Sequence, residues 1–272
     1  MFRVLAVSAV MVLAPAFASA QDGKPIVIGR FHTLASAVLG QERTINVWLP
    51  ASYAEGKGDY PVVYLLDGGE AEDFHHITGL MQVGGMNGYT AEAIVVGIAS
   101  IDRRHDLTYP SSLAEDRKGL PTSGGSAAFR RFIAEELQPW VAGRYRTSGR
   151  TVIMGESLAG LFCLETFLRA PQTFTDYVCV SPSLWWDKGA LAAEAPAALA
   201  RLKDEPRMFF MAYASDDGAD AADEAIATAL RTSAPPTLRW RFEPMPGERH
   251  ATIYHPAATQ ALRWLFAPPP KP

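Results

Sequence analysis

The sequence has few of the residues from which metal sites are built. Its 272 residues include two cysteines and six histidines, and neither cysteine lies in a CxxC pair or near a histidine at metal-ligand spacing. His75 and His76 are adjacent, and no HExxH motif occurs. We therefore expect no metal site and no cofactor.

The two cysteines, Cys163 and Cys179, both lie in apolar surroundings, in LFCLETF and YVCVSP. An exported protein could join them in a disulfide, but free cysteines that are buried in a core occupy the same kind of surroundings. We favour two buried thiols, with a disulfide as the alternative.

Long apolar runs and a marked excess of one charge are also missing. The formal net charge is -4 and the pI is about 5.9, and no basic stripe with interleaved aromatic residues is present. Beyond residue 20, no segment approaches the ~20 apolar residues that a membrane-spanning helix requires. We therefore expect no nucleic-acid partner and no stable membrane insertion.

The beginning of the chain differs from the rest. A basic residue precedes an apolar run over residues 4–13, and residues 18–20 form an AxA cleavage pattern. This arrangement predicts a secretory signal peptide over residues 1–20. A membrane anchor or a buried first helix is the alternative, but the run is short and Pro15 interrupts it. We expect a periplasmic or secreted protein whose mature part, residues 21–272, is one domain.

Apolar runs of strand length alternate with longer stretches of helical period, which predicts an α/β protein. The predicted strands are residues 26–31, 44–49, 62–66, 93–99, 151–154, 177–181, 208–213 and 238–243. The predicted helices are residues 71–86, 127–145, 158–169, 189–203, 220–231 and 256–266. The first two strands should form an antiparallel edge hairpin, and the others should follow parallel βαβ connections with helices on both faces. Segments 51–60 and 102–125 are predicted loops, the second at the carboxyl edge of an eight-stranded, mostly parallel sheet.

A candidate nucleophile follows the fifth predicted strand, in TVIMGESLAGLFCL. Ser157 lies there in a tight turn between Gly155 and Ala159, and a helix follows. Strand, sharp turn and helix together form the context of a nucleophile elbow, in which the serine hydroxyl projects over the sheet edge. The short motif occurs by chance in many chains, so its position at this junction carries the interpretation. A helix N-cap is the alternative role of Ser157.

A serine hydroxyl needs a base that takes its proton, and in this fold the base follows the serine in the chain. His250, in MPGERHAT, comes after the eighth predicted strand and before the last helix, so it is the candidate base. His255 is the other histidine after Ser157, but it adjoins Pro256 at a helix start, where a capping or surface role is expected.

The acid that orients the base should follow the seventh predicted strand, where FFMAYASDDGADAADEA contains four aspartates and one glutamate. Asp217 is the leading candidate because the base must be reached from the first turn after the strand. Asp216 and Asp220 are the alternatives. Helix N-termini attract acidic residues through the helix dipole alone, so most of these carboxylates should belong to a solvated helix start.

Acyl transfer also needs two backbone N–H donors for the tetrahedral oxyanion, and the loss of one such donor costs roughly 3 to 4 kcal/mol. We expect one donor from Leu158, directly after the serine. The other should come from the turn after the third strand, in YLLDGGEAEDFH, where we choose Gly69. An ordinary turn between strand and helix is the alternative for Gly69.

Several segments together resemble the enterochelin-esterase and esterase-D-like group of esterases within the α/β hydrolases. The resemblance runs from the second predicted strand to the last helix, in VVYLLDGG, IDRRHDLTYP, FRRFIAEELQPWVAGRYRT, GESLAGLFCLETFLRAPQTF, VSPSLWWD and GERH. It implies the α/β-hydrolase fold, a Ser, acid, His triad without a metal, and hydrolysis of small esters such as siderophore trilactones or acylated sugars.

The resemblance also implies residues that bind the substrate. Trp185 and Trp186 of SPSLWWD would lie beside the pocket, and Arg103 of IDRRHDL would lie near its mouth. Core packing is the alternative for each tryptophan. The chain departs from the group at Glu156, where the group often has histidine, and at Ala159, where it usually has glycine. These departures bear on the substrate more than on the chemistry.

The sequence thus predicts a serine-dependent carboxylic ester hydrolase that acts on a small-molecule ester through an acyl-enzyme. Siderophore lactones are one substrate class within this hypothesis. Acyl transfer to a sugar or lipid acceptor is the second hypothesis, and it would give product on an added alcohol rather than on water. A non-catalytic binding protein on a hydrolase scaffold is the third, and the retained order of serine, acids and histidine argues against it.

Overall fold

The computed structural model describes residues 24–56, 58–202, 205–214, 216 and 220–268. The predicted signal peptide, residues 1–20, and the predicted triad acid Asp217 lie outside these residues. Within the described ranges, no helix combines the length and the apolar character that crossing a membrane would require.

One eight-stranded sheet forms the centre of the protein. Its strands are β1 (Arg30–Ser36), β2 (Gln41–Trp48), β3 (Tyr60–Leu65), β4 (Ile94–Ile98), β5 (Thr147–Glu156), β6 (Asp176–Val180), β7 (Arg207–Ala214) and β8 (Leu238–Met245). The order across the sheet is β1-β2-β4-β3-β5-β6-β7-β8. β2 pairs antiparallel with β1 and β4, and the strands from β4 to β8 are parallel. The predicted fold class and edge hairpin are confirmed.

The described ranges contain the helices α1 (Phe74–Asn87), α2 (Arg103–Asp106), α3 (Ala114–Gly119), α4 (Ser126–Phe132), α5 (Gln138–Ala142), α6 (Leu158–Arg169), α7 (Ala190–Ala200), α8 (Asp220–Ser233) and α9 (Tyr254–Leu265). A π-helical segment, Ile133–Leu137, joins α4 to α5. Short 3-10 segments lie at Ala51–Glu55, Pro171–Thr173 and Trp186–Gly189.

The first strand and the second predicted loop differ from the prediction. The first strand lies at Arg30–Ser36 rather than at 26–31, because pairing with β2 defines it and not the preceding apolar run. Ile26 and Val27 of that run are exposed. The predicted loop 102–125 contains α2 and α3, two short helices that its irregular pattern did not indicate.

Helices cover both faces of the sheet. Because side chains alternate across a strand, Val62 and Tyr64 of β3 belong to one buried layer, and Val63 and Leu65 belong to the other. The first layer includes residues of α4 to α8, and the second includes residues of α1 and α9. The sheet is therefore buried between two helical layers, and the carboxyl ends of its parallel strands share one edge.

Cys163 of α6 and Cys179 of β6 form a disulfide, with their Cα atoms 5.4 Å apart. The expectation of two free thiols is therefore wrong. Both residues are buried, and α6 packs closely on β6 because Gly160 has no side chain: a Cβ there would lie 2.4 Å from the Val180 carbonyl oxygen. The apolar neighbourhood could not distinguish the two states, since thiols and disulfides are buried in the same surroundings.

Candidate active site

Several predicted site residues meet at the carboxyl edge of the parallel strands, where ligands of such sheets bind. β5 ends at Glu156, and Ser157 follows it directly. The pairs Glu156↔Val180 and Val180↔Ala212 place the ends of β5, β6 and β7 side by side. His250 reaches the same edge from the loop after β8.

Ser157 lies on a sharp turn between β5 and α6. Its φ of 64° and ψ of -121° form a backbone conformation that residues with a side chain rarely adopt. Backbone hydrogen bonds hold the turn: the Ser157 N–H donates to the Val180 carbonyl at 3.1 Å, and the Ser157 carbonyl accepts from the N–H groups of Leu161 and Ser183. A strained turn of this kind between a strand and a helix is the geometry expected of a nucleophile elbow.

Small residues on either side of Ser157 let the helix approach the strand. A Cβ placed on Gly155 would lie 2.6 Å from the Cβ of Ala159. The two positions therefore interlock, and Ala159 fits in place of the usual glycine because Gly155 leaves space for its methyl group.

His250 is held at both its ring and its backbone. Its Nε2 lies 2.9 Å from Ser157 Oγ. When Ser157 donates to Nε2, the neutral imidazole carries its proton on Nδ1, and Ser181 Oγ lies 3.2 Å from that nitrogen. The His250 backbone N–H donates to Asp216 Oδ1 at 2.7 Å, and Ser183 Oγ lies 3.4 Å from Ser157 Oγ. The arrangement allows proton transfer from the serine to the imidazole.

The triad acid stays a prediction. Asp217 lies outside the described residues, and Asp220 is described only as the first residue of α8. Asp216 accepts a hydrogen bond from the backbone N–H of His250 and so helps to hold the loop that carries His250. Asp217 therefore remains the proposed acid.

His255, the other histidine after Ser157, takes part in a different contact. Its Nδ1 lies 2.9 Å from Nε2 of His76, and the two rings stack. Asp73 lies 3.9 Å from the same His76 ring. This pair connects α9 to α1, as expected of a surface role.

The two predicted oxyanion donors have different surroundings. Leu158 is the first residue of α6, and the N-terminus of a helix favours negative charge. The Gly69 N–H donates to Glu72 Oε2 at 2.6 Å, and the same oxygen accepts from the Ser100 N–H at 3.3 Å. Glu72 would therefore have to move before Gly69 could bind an oxyanion.

Arg103 is bound within the protein. Its Nε lies 2.9 and 2.8 Å from the two carboxylate oxygens of Asp67, and its Nη2 donates to the Glu156 carbonyl at 3.3 Å. Burial raises the pKa of Asp67, and the charge of Arg103 opposes this shift. Arg103 thus ties the turn after β3 to the end of β5.

The two predicted pocket tryptophans differ in exposure. Trp185 is 47% exposed and lines a cleft of about 260 Å³. The other residues that line this cleft are Ser181, Pro182, Ser183, Asp216 and His250. Trp186 is fully buried, and its Nε1 donates to the Tyr109 carbonyl at 3.0 Å. Trp185 therefore contacts the cleft, and Trp186 packs in the core.

Glu156 adds a carboxyl group that sequence reasoning did not assign to the site. Its Oε1 lies 3.8 Å from His250 Nε2, and its side chain is 21% exposed. Burial raises the pKa of Glu156 to about 7; the charge of His250 lowers it, Asp73 raises it and Arg103 lowers it. Its position next to Ser157, where the similar group often has histidine, is the sequence feature that could have drawn attention to it.

The charged groups around Ser157 and His250 are mainly acidic. The acids described there are Asp67, Glu72, Asp73, Glu156 and Asp216. Arg103 is a cation among them, and Asp67 binds it. In the described part of the chain, no three His, Cys, Asp or Glu side chains form a group that could hold a metal ion.

Comparison with known proteins identifies the family. Residues 36–241 match the sequence model of a family described as "Putative esterase". The chain belongs to this esterase family. Over 166 residues it is 32% identical to the ferri-bacillibactin esterase BesA of Bacillus subtilis, a match that covers 54% of this chain and 56% of BesA. Over 111 residues it is 36% identical to a siderophore enterobactin esterase of Emericella nidulans, covering 38% of this chain and 37% of that protein.

Solved structures of similar proteins share the fold of this esterase-family chain. An IroE-like serine hydrolase from Shewanella oneidensis superimposes with a TM-score of 0.79 at 28% identity, covering 88% of this chain and 80% of that one. The siderophore hydrolase EstB from Aspergillus nidulans gives a TM-score of 0.76 at 21% identity, covering 92% and 98%. These matches confirm the α/β-hydrolase fold. The sequence matches to the curated relatives span about half of those proteins or less.

Proposed function

We propose that this protein hydrolyses small carboxylic esters, with Ser157 as the nucleophile and His250 as its base. The observation that carries the proposal is the distance of 2.9 Å between Ser157 Oγ and His250 Nε2, on a strained turn at the carboxyl edge of the sheet. A hydroxyl in this position can transfer its proton to the imidazole while it attacks a carbonyl group.

The proposed reaction has two halves. Ser157 Oγ bonds to the ester carbonyl carbon, its proton moves to His250 Nε2, and the carbonyl π electrons move to oxygen. The intermediate then collapses, the bond to the alcohol oxygen breaks, and that oxygen takes the proton from Nε2. Water next attacks the acyl-enzyme and gives its proton to Nε2, and that proton returns to Ser157 Oγ as the acid leaves.

Three further groups support these steps in the proposal. The Leu158 N–H binds the oxyanion, and the Gly69 N–H joins it once Glu72 has moved. Asp217 orients the His250 imidazole as the third member of the triad.

Siderophore esters are the first substrate class to test. Three relatives are named as esterases of ferri-bacillibactin, enterobactin and triacetylfusarinine C. The exposed face of Trp185 supports binding of a flat acyl or alcohol group in the cleft. Arg103 binds Asp67 and so offers little free positive charge to an anionic substrate.

Export to the periplasm or the medium is part of the proposal. The buried disulfide between Cys163 and Cys179 supports it, because disulfides persist in oxidising compartments and are rare in the cytosol. The sequence of residues 1–20, with its apolar run and AxA pattern, supplies the predicted signal peptide.

The experiment that tests the proposal compares the purified wild-type protein with Ser157→Ala and His250→Ala. Wild type should bind a fluorophosphonate probe covalently and hydrolyse phenyl acetate. Each variant should lose at least about 10⁴-fold in kcat, because proton transfer and attack act as one unit. His255→Ala is the matched histidine control and should keep its turnover, since His255 stacks on His76.

Two results would contradict the proposal. Wild type that neither reacts with the probe nor hydrolyses any ester would favour a binding protein on this scaffold. Preferential formation of a new ester on added glycerol, with little free acid released, would favour acyl transfer.

A further inference from the structure

We propose that Glu156 is a second positioning carboxylate for the base, which stabilises the His250 imidazolium from its Nε2 side while Ser157 is deprotonated. This inference rests on the proposed serine mechanism. It gives a role to a residue beside the nucleophile at which the chain departs from the group that it resembles.

The geometry places Glu156 next to the nitrogen that receives the proton. His250 Nε2 lies 2.9 Å from Ser157 Oγ and 3.8 Å from Glu156 Oε1. The second distance is too long for a hydrogen bond, but an opposite charge within ~4–6 Å favours the charged form of a titrating group. Glu156 can therefore stabilise the imidazolium without competing for the hydrogen bond from Ser157.

The backbone of Glu156 is held in place by two elements of the fold. It is the last residue of β5, where it pairs with Val180 in the sheet. Its carbonyl oxygen accepts a hydrogen bond from Arg103 Nη2. Because its side chain is only 21% exposed, water screens its charge less than it would at the surface.

The charge of Glu156 depends on groups from every element packed around it. Those groups are Asp67 after β3, Asp73 before α1, Arg103 in α2, His250 after β8 and Tyr254 in α9. Burial and the neighbouring carboxylates raise the pKa of Glu156 to about 7, against the charges of His250 and Arg103. Glu156 is therefore neutral in acid and becomes an anion near neutral pH.

This ionisation sets the pH range in which the base works. An ionised Glu156 favours the protonated form of the nearby imidazole through the attraction of opposite charges. Proton uptake by the two side chains together then forms the acid limb of the kcat/KM profile. Removal of the Glu156 charge should move that limb to lower pH and should also lower the plateau, since the imidazolium of the transition state loses a stabilising charge.

The test measures kcat/KM for phenyl acetate from pH 5 to 9 by pH-stat, for wild type and Glu156→Gln. For Glu156→Gln we expect the acid limb to move down by about one pH unit and the plateau to fall roughly ten-fold. These values are at the low end for the effect of a neighbouring charge, because the His250 side chain is 40% exposed. The rate of fluorophosphonate labelling should show the same shift. Glu55→Gln, on an exposed 3-10 segment after β2, is the matched control and should follow the wild-type profile.

A plateau that falls while the acid limb stays in place would mean that Glu156 has a structural role only, and the inference would be overturned. Identical profiles for wild type and Glu156→Gln would overturn it as well. If wild type has no esterase activity at any pH, the proposed function fails instead. Should Glu156→Gln not fold, Glu156→Asp withdraws the carboxylate by one methylene, and its acid limb must move in the same direction by a smaller amount.

Discussion

Ser157 and Glu156 both occupy positions that cost stability. Ser157 has a positive φ in a turn that backbone hydrogen bonds from β6 and α6 hold in place. Glu156 is a largely buried carboxyl group with Asp67 and Asp73 nearby. Such costs concentrate at functional sites, where a group must be presented in a high-energy state. At the scale of single residues, the candidate site is therefore recognised by a strained backbone and a largely buried carboxyl group.

The pKa of Glu156 predicts how stability depends on pH. Its folded pKa, about 7, lies above the ordinary value of 4.5, so between these values the folded protein holds a proton that the unfolded chain has lost. The stability that this proton supplies is complete below pH 4.5 and is lost as pH rises through 7. Between pH 5 and 8 the wild-type protein should therefore lose on the order of 2 kcal/mol in its free energy of unfolding, and Glu156→Gln should not show this loss.

Urea unfolding at pH 5 and pH 8 measures this difference. Relative to wild type, Glu156→Gln should gain stability at pH 8, while exposed Glu55→Gln should change little at either pH. A variant that loses as much free energy of unfolding as wild type between the two pH values would contradict the assignment.

Helix α6 is the element that supports Ser157, the proposed nucleophile. Ser157 precedes its first residue, Gly160 contacts the end of β6, and Cys163 is joined to Cys179 one turn further on. The position of the helix on the sheet therefore determines where the serine hydroxyl points. A change that lifts α6 should alter both stability and activity.

Gly160→Ala makes that change. The new Cβ would lie 2.4 Å from the Val180 carbonyl oxygen, which is backbone and cannot turn aside. We expect a loss of about 2 kcal/mol in the free energy of unfolding, together with a lower kcat. Gly79→Ala in α1 is the matched control: its Cβ meets nothing within 4 Å, so the helix should gain about 0.5–1 kcal/mol. Equal effects of the two substitutions in urea unfolding would show that α6 is not held by this contact.

The charge of the molecule bears on its substrate. The formal net charge is -4, and the acids Asp67, Asp73, Glu156 and Asp216 lie around the candidate site. Charges of one sign in a cleft raise or lower the local concentration of a charged ligand and its association rate. The site should therefore disfavour anionic esters.

This predicts a preference among siderophores. A ferric tris-catecholate lactone is an anion, whereas the metal-free lactone is neutral near pH 7, so kcat/KM should be higher for the metal-free form. The ratio of kcat/KM for the metal-free form to kcat/KM for the ferric form should fall as salt is added. Salt screens the repulsion between the anionic ferric lactone and the acidic site. A chromatographic assay of the hydrolysis of both forms at low and high ionic strength measures this ratio. Faster hydrolysis of the ferric form at low salt would contradict the prediction.

Much of the fold could be predicted because its elements are local patterns. The second to eighth strands, the antiparallel edge and helix α6 follow from apolar period and from turns, and each is confirmed within a few residues. The first strand and the short helices α2 and α3 could not be located, because pairing and packing define them and not a local period. The disulfide was missed because the two sulfurs meet through a contact between α6 and β6.

The sequence by itself determined the order of the elements and the types of residue at their ends, since both depend on neighbours along the chain. Ser157 and His250 were candidates for that reason. Only the tertiary structure decided that Arg103 binds Asp67, that Trp186 is buried while Trp185 is exposed, and that Glu156 lies beside the His250 ring. Those are contacts between segments far apart in the chain, and their distances depend on how the helices pack against the sheet.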